Sequence, residues 1–152
     1  MRTFRHTFTV NAGIDKVWDF YTDINHLQVI SPPGMQIRLV KTTHQKLIEG
    51  SEVWLTGILL TRSSWHSKIT SLAPYRYVDE MLSGRFHVWK HVHGFRKVDG
   101  NNNTATEVID EIDFELHYGM LGRIFEGYVY SQLEKIFAYR KQATIKALEK
   151  NI

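Results

Sequence analysis

The chain has 152 residues, of which 43% are hydrophobic and 23% charged, which is ordinary for a globular protein and predicts one domain over residues 1–152. The net charge is +3, but the lysines and arginines are scattered along the chain and match no nucleic-acid motif. The chain has no cysteine, which excludes disulfides, thiolate metal sites and thiol nucleophiles. No apolar run approaches the roughly 18 residues of a transmembrane helix and no export signal opens the chain, so we expect no integral membrane segment and a cytoplasmic protein.

Alternating residues predict a first strand near the N-terminus, and helical spacing then predicts two short helices. Phe4, His6 and Phe8 share one side of the segment TFRHTFTV, whereas apolar residues recur at helical spacing over residues 11–30. The prolines of SPPG, residues 31–34, end this helical segment. Six short segments rich in β-branched and aromatic residues then predict strands, namely 35–43, 51–60, 63–72, 75–82, 86–98 and 104–116. Their short connections favour antiparallel pairing.

The last part of the chain is typical of one long helix. From about Leu121 to Lys150 no proline intervenes, and the residues on or near one face are mostly apolar: Leu121, Ile124, Phe125, Tyr128, Leu133, Ile136, Phe137, Thr144, Ala147 and Leu148. Such a helix must bury this face, and the sheet is the only large partner. A coiled-coil dimer fits the aromatic bulk poorly, although a homodimer stays open. The predicted fold class is α+β: strand, two short helices, six strands, long helix.

Three histidines share one side of the strand FHVWKHVHGF, residues 86–95. Alternation places His87, Trp89, His91, His93 and Phe95 on the same face. The next strand, TEVIDEIDFEL, has a charged face at odd positions and an apolar face at even positions, and only one even position, an aspartate, is out of place in an interior. We therefore expect the two inward faces to meet across a hairpin.

The register of this hairpin predicts a partner for the buried Asp110. A loop of four residues places His91 opposite Asp110, and a loop of six places His93 there. Lys90 and Arg96 on the other face of the first strand would then oppose the acidic outer side of the second strand, at Glu111 and Glu107. Because a buried carboxylate is costly unless it is hydrogen bonded, we predict that Asp110 bonds to His91 or His93.

Several motifs together resemble the START and birch-pollen-allergen-like superfamily, often called SRPBCC, and within it a bacterial branch described as polyketide cyclase/dehydrase-like or cell-division-inhibitor-like. They are Tyr77-x-Asp79, Trp89-x-His91-x-His93-x-Phe95, Asp110, Pro32-Pro33 and the IFAYR of the last helix. The segment SGRF departs from the pattern, which tends to have Gly-Pro-Phe. The resemblance implies a helix-grip fold, a seven-stranded antiparallel sheet curved around the C-terminal helix, with a cavity that holds a lipid, polyketide, sterol or quinone.

Three functions are compatible with these features. The favoured one is binding of a hydrophobic or amphipathic small molecule, for transport or sequestration. The predicted contact residues are Trp65, Trp89, His91, His93, Phe95, Asp110, Ile112, Phe114, Leu121, Phe125 and Tyr128. The alternative is a cyclase or dehydratase that uses His91 or His93 with Asp110 as an acid/base pair, for which a second group would have to come from Asp79, Glu80, Tyr128 or Tyr139. A third is a module that acts through a protein partner. We expect no metal and no cofactor, since the histidine spacing matches no zinc signature.

Overall fold

The structure is a computed structural model that describes residues 1–99 and 104–149. Its strands are β1 (Arg2–Val10), β2 (Arg38–Thr42), β3 (Glu52–Leu59), β4 (Thr61–Ala73), β5 (Arg76–Ser83), β6 (Phe86–Val98) and β7 (Ala105–Leu116). Its α-helices are α1 (Ile14–Thr22) and α2 (Gly119–Leu148), and 3-10 helices span Ile24–Leu27 and Pro33–Met35. All predicted strands, the short helices and the long helix are confirmed.

Within the described residues the strands form one antiparallel seven-stranded sheet in the order β1-β7-β6-β5-β4-β3-β2. The sheet curves around α2, a helix of 30 residues that is about 45 Å long at 1.5 Å per residue. The α+β helix-grip fold is therefore confirmed. In the part of the chain that the structure describes, no helix is long and apolar enough to span a membrane.

The parity predicted for β7 is confirmed, because its inward residues from Thr106 to Phe114 are almost completely buried. His93 lies opposite Asp110, as a six-residue loop requires, and Arg96 pairs with Glu107. Lys90 lies opposite Asp113, so its predicted pairing with Glu111 is wrong. Residues 100–103 of the predicted turn DGNNN lie outside the described residues.

The prediction that His87 shares the inward face of β6 is wrong. The pairing register between β6 and β7 shifts between Phe86 and Val88, which is a β-bulge. One extra residue reverses the alternation on its far side, so Phe86 points into the core and His87 is exposed. Only His91 and His93 of the three histidines are buried.

The buried face of α2 differs from the predicted one in its first half. The buried positions recur every three or four residues: Gly122, Glu126, Val129, Leu133, Phe137, Arg140, Thr144 and Leu148. Leu121, Phe125 and Tyr128, which were predicted to face the sheet, are exposed, with 57% of Phe125 accessible. Gly122 explains why the buried face of α2 is rotated away from the predicted one. A Cβ at that position would lie only 2.6 Å from the carbonyl oxygen of His117. The backbone approaches too closely there for any larger residue to face inward.

Candidate functional site

A cavity of about 180 Å³ lies between the sheet and the second half of α2. The helix packs against β1 and β7, whereas over β3 to β6 a gap remains, closed on one side by the segment from Phe20 to Ile37. The apolar lining includes Phe20, Ile24, Leu27, Ile30, Leu55, Leu59, Trp65, Ile69, Trp89, Leu133, Ile136 and Phe137. The site thus has the mostly apolar, concave character of a small-molecule pocket.

One wall of the cavity is polar. It is formed by Asp79 on β5, His91 and His93 on β6, and Arg140 on α2, with Asp110 on β7 directly behind them. Each of these side chains points inward because it occupies an inward position of its strand or lies on the buried face of α2. The sheet therefore brings titratable side chains from three neighbouring strands together next to Arg140 of α2.

The two histidines bond to carboxylates on opposite neighbouring strands. His91 Nε2 donates to Asp110 Oδ1 at 2.8 Å, and His93 Nε2 donates to Asp79 Oδ2 at 2.6 Å. Both bonds run diagonally, because in the ladder His93 is opposite Asp110 and His91 is opposite Asp79. The rings of His91 and His93 stack, with centroids 3.6 Å apart, and Tyr77 stacks on the other side of His93 at 4.1 Å. The predicted hydrogen bond to Asp110 is confirmed for His91.

Burial and the neighbouring charges set the protonation of this cluster. Burial, and then the neighbouring His91, lower the pKa of His93 from 6.5 to about 4, although Asp79 acts in the opposite direction. Burial alone would raise the pKa of Asp79 and of Asp110, but the hydrogen bonds from the histidines and the nearby positive charges outweigh it and lower both. At neutral pH both carboxylates are thus ionised and His93 is neutral.

These charge states fix the tautomer of His93. An ionised carboxylate can only accept a hydrogen bond, so the proton of neutral His93 lies on Nε2, facing Asp79. Its Nδ1 is then an acceptor, and it has no hydrogen-bond partner among the residues that the structure describes. The same orientation by a carboxylate is what prepares an imidazole to act as a base.

Arg140 is the one cationic side chain of α2 on the buried face, and only 7% of it is accessible. Its guanidinium carbon lies 4.6 Å from the centre of the Phe137 ring, and its Nη1 is 3.8 Å from Asp110 Oδ1, too far for a hydrogen bond. Over residues 1–99 and 104–149, its Nε and Nη1 are buried without a hydrogen-bond partner. Arg140 is therefore a buried cation that lines the cavity, with only part of its hydrogen-bonding capacity used by the protein.

Asp79, His91 and His93 each have a potential ligand atom for a metal, and these atoms lie within 4.8 Å of one another. The ring planes of the two histidines are inclined by only 30°, so their lone pairs do not converge well on one ion. Each Nε2 already donates to a carboxylate. The expectation that the purified protein carries no stoichiometric metal stays a prediction, which elemental analysis can test.

The residues predicted to contact a ligand fall into three groups. Trp65, Trp89, His91 and His93 line the cavity. Phe95, Asp110, Ile112 and Phe114 are buried but do not line it, because they pack in the core or behind the polar wall. Leu121, Phe125 and Tyr128 are exposed on the outer side of α2, so the structure separates them from the cavity.

The predicted contact set omitted two important residues of the polar wall, Asp79 and Arg140. Asp79 shares the inward face of β5 with Tyr77, and alternation along that strand could have revealed it. Arg140 is three residues after Phe137 and four before Thr144, both buried, so the spacing of the buried face includes it. A charged residue on an apolar face was the available signal in both cases.

The fold and the cavity define the protein as a START-like helix-grip protein. Residues 10–137 match the profile of the family described as "Polyketide cyclase / dehydrase and lipid transport", and the chain belongs to this family. The resemblance inferred from the sequence motifs is confirmed. No curated protein sequence matches the chain significantly.

Three solved structures of distant proteins share this fold. A START superfamily protein from Mycobacterium smegmatis superposes with a TM-score of 0.73 at 10% identity, covering 99% of both chains. Norcoclaurine synthase from Thalictrum flavum, in complex with dopamine and hydroxybenzaldehyde, gives 0.71 at 13% identity over 99% of this chain and 88% of that one. The ZhuI aromatase/cyclase from Streptomyces sp. R1128 gives 0.67 at 18% identity over 97% and 90%. These similarities establish the fold alone.

Proposed function

We propose that residues 1–152 act as one domain that binds a hydrophobic or amphipathic small molecule in this cavity. The observation that carries the proposal is an apolar cavity with a single polar wall, which can exclude water from a ligand and still orient one polar group. In this proposal Trp65 and Trp89 contact the apolar part of the ligand, and His93 and Arg140 face its polar group. A cytoplasmic location and a homodimer remain predictions from the sequence.

Family and fold support the proposal. The description of the family includes lipid transport, and the structure of norcoclaurine synthase holds two small aromatic molecules in the same fold. At 13% identity the second similarity does not identify a ligand for this chain.

Thermal unfolding in the presence of candidate ligands tests the proposal, together with mass spectrometry of an organic extract of the purified protein. A ligand that binds only the folded state raises the melting temperature, and the stabilisation grows with the logarithm of the ligand concentration relative to its dissociation constant. The sharpest variant is Ile136→Trp, because Ile136 lines the cavity and the larger side chain would fill it. Ile124→Trp is the matched control, since it makes the same replacement on the exposed side of the same helix.

We expect the ligand to raise the melting temperature of the parent protein and of the Ile124→Trp control, but not that of Ile136→Trp. A rise of equal size in all three proteins would place the ligand outside the cavity. If no hydrophobic compound raises the melting temperature and the extract contains none, the binding proposal fails, and a module that acts through a protein partner becomes the better explanation.

A second candidate function, an acid/base enzyme of the cyclase or dehydratase kind, is favoured by the state of His93. At neutral pH its imidazole is neutral and is oriented by Asp79, and its Nδ1 has no hydrogen-bond partner within the described residues. The cationic Arg140 lines the same cavity and could stabilise an enolate. The test uses a bound ketone in D₂O. Exchange of protons next to the carbonyl, followed by NMR, should be faster with the protein and lost in His93→Gln. Binding without faster exchange would leave the protein a non-catalytic carrier.

A further inference from the structure

Three segments of the chain meet at one end of the sheet. They are the turn between β3 and β4, the turn between β5 and β6, and the connection from β7 into α2, which lie at the same end because neighbouring strands are antiparallel. Arg85 in the second turn donates a hydrogen bond to Thr61 beside the first, and the ring of His87 lies 5.7 Å from that of His117 in the third segment. The segments therefore form one continuous surface. We call it the apolar end, and it consists of residues 59–62, 82–87 and 117–128.

The apolar end exposes large hydrophobic side chains to solvent. They are Leu60, Leu82, Tyr118, Met120, Leu121, Ile124, Phe125 and Tyr128. The last four follow the spacing i, i+3, i+4 and i+7 in α2, so they form a stripe along the exposed side of this helix, with 72% of Ile124 accessible. A contiguous exposed surface of this kind marks an interaction site more often than isolated apolar residues do.

The exposed charges of the apolar end have one sign. Arg62, Arg85 and Arg123 are exposed, whereas the single carboxylate of the three segments, Glu126, is buried. The opposite end of the sheet, where β6 ends, carries exposed carboxylates such as Asp99. The apolar end thus combines hydrophobic side chains with an excess of exposed positive charge.

This combination decides between two candidate occupants. In a twofold dimer through this surface, a second copy would present the same residues, so its arginines would meet cations with no exposed carboxylate of the three segments to pair with. An anionic lipid surface instead supplies acyl chains for the apolar side chains and phosphate groups for the guanidinium groups. The charge of the apolar end therefore favours a lipid surface.

We propose that the apolar end docks the protein on an anionic membrane surface. The exposed stripe of α2 inserts among the lipid headgroups, and Arg62, Arg85 and Arg123 bind lipid phosphates. Tyr118 and Tyr128 suit this depth, because each has an apolar ring and a polar hydroxyl group. This surface lies outside the cavity, so the proposal goes beyond the binding function and does not depend on it.

Cosedimentation of the full chain with lipid vesicles tests the proposal. One set of vesicles contains phosphatidylcholine alone, and the other contains phosphatidylcholine mixed with phosphatidylglycerol. We expect the protein to bind the anionic vesicles at least about tenfold more tightly than the neutral ones. Raising the salt concentration from about 0.1 M to about 1 M shortens the Debye length from about 10 Å to about 3 Å and should remove most of this preference.

A pair of double variants locates the charged part of the surface. Arg85→Gln/Arg123→Gln should weaken binding to the anionic vesicles by about 25-fold, since each arginine near such a surface contributes about fivefold. Arg76→Gln/Lys97→Gln is the matched control, because it removes the same charge from exposed positions at the opposite end of the sheet. The control should retain most of the binding of the parent protein.

Phe125→Ala tests the apolar part of the surface. It should weaken binding to the anionic vesicles by at least about tenfold, because an aromatic side chain no longer enters the lipid. Tyr139→Ala is the matched control, since Tyr139 is partly exposed on the same helix about 21 Å further along. The Ile136→Trp variant, which fills the cavity, should also bind vesicles like the parent protein.

The outcomes separate docking from other uses of this surface. Absence of vesicle binding, equal affinity for neutral and anionic vesicles, or equal losses in the variants and their controls would overturn the proposal. If the protein binds no vesicles but dimerises in analytical ultracentrifugation, and Phe125→Ala abolishes the dimer, the apolar end is an interface between two copies. Loss of vesicle binding in Ile136→Trp would mean that lipid enters the cavity, which refutes docking through the apolar end and supports the binding function.

Discussion

Lowering the pH from 7 to 5 should destabilise the protein through His93. Burial, and then His91, lower the pKa of the folded-state imidazole from 6.5 to about 4. Between these values the unfolded chain binds a proton at this position and the folded protein does not. Stability rises with pH wherever the unfolded state binds more protons, so it must fall as the pH falls through this window.

The size of the effect follows from the two pKa values. At pH 7 neither state carries much of the proton, whereas at pH 5 the unfolded imidazole is almost fully protonated and the folded one is not. The linkage relation then gives a loss of about 2 kcal/mol between pH 7 and pH 5 from this residue. The lowered pKa of His6 acts in the same direction, while those of Asp79 and Asp110 matter only at more acidic pH.

Urea unfolding at pH 7, 6 and 5 measures this loss directly, since the free energy of unfolding varies linearly with denaturant. His93→Gln removes the titrating group but can still donate to Asp79, so its stability should change less with pH than that of the parent. His87→Gln, on the exposed outer side of the same strand, is the matched control and should behave like the parent. A His93→Gln protein that loses as much stability as the parent would refute the reasoning.

Four further substitutions have effects that the same urea experiments can measure. Asp110→Ala should cost about 2–4 kcal/mol, because it leaves His91 without its buried partner. A parent-like midpoint would contradict this. Gly122→Ala should lower the free energy of unfolding by about 1–3 kcal/mol although alanine has the better helix propensity, because the new Cβ would meet a backbone carbonyl oxygen at 2.6 Å. A gain in stability would show that the turn before the helix can move. Phe137→Ala, on the buried face of α2, should cost about 3–5 kcal/mol, whereas Phe125→Ala, on its exposed side, should cost less than about 0.5 kcal/mol. Similar values for the two would mean that the buried face of α2 has been assigned incorrectly.

The strands could be predicted because their burial follows the simple alternation of side chains. In β7 one parity is apolar and the other charged, and the structure buries the apolar one. Asp110 was the exception on the apolar side, and the cost of burying a lone carboxylate was enough to predict its bond to a neighbouring histidine. The sequence left His91 and His93 as alternatives because the loop length was unknown.

The errors arose where one local contact overrides a periodic pattern. A single bulge turns His87 outward, and no alternating pattern can show a bulge in advance. In α2 the first turns are apolar on more than one side, so periodicity alone did not define the buried face. Close backbone contact at Gly122 defines it, and that contact exists only in the folded chain.

The polar wall is the part of the structure that stability alone does not explain. Two carboxylates, two imidazoles and one guanidinium lie together in an interior where apolar side chains of similar volume would be at least as stable. Their hydrogen bonds pair His91 with Asp110 and His93 with Asp79, but within the described residues Asp110 Oδ2, His93 Nδ1 and Arg140 Nε and Nη1 have no hydrogen-bond partner. Asp79, His91, His93 and Arg140 nevertheless line the cavity. A ligand with one polar group placed against this wall would meet these side chains, which is why the cavity and the cluster are best understood as one site.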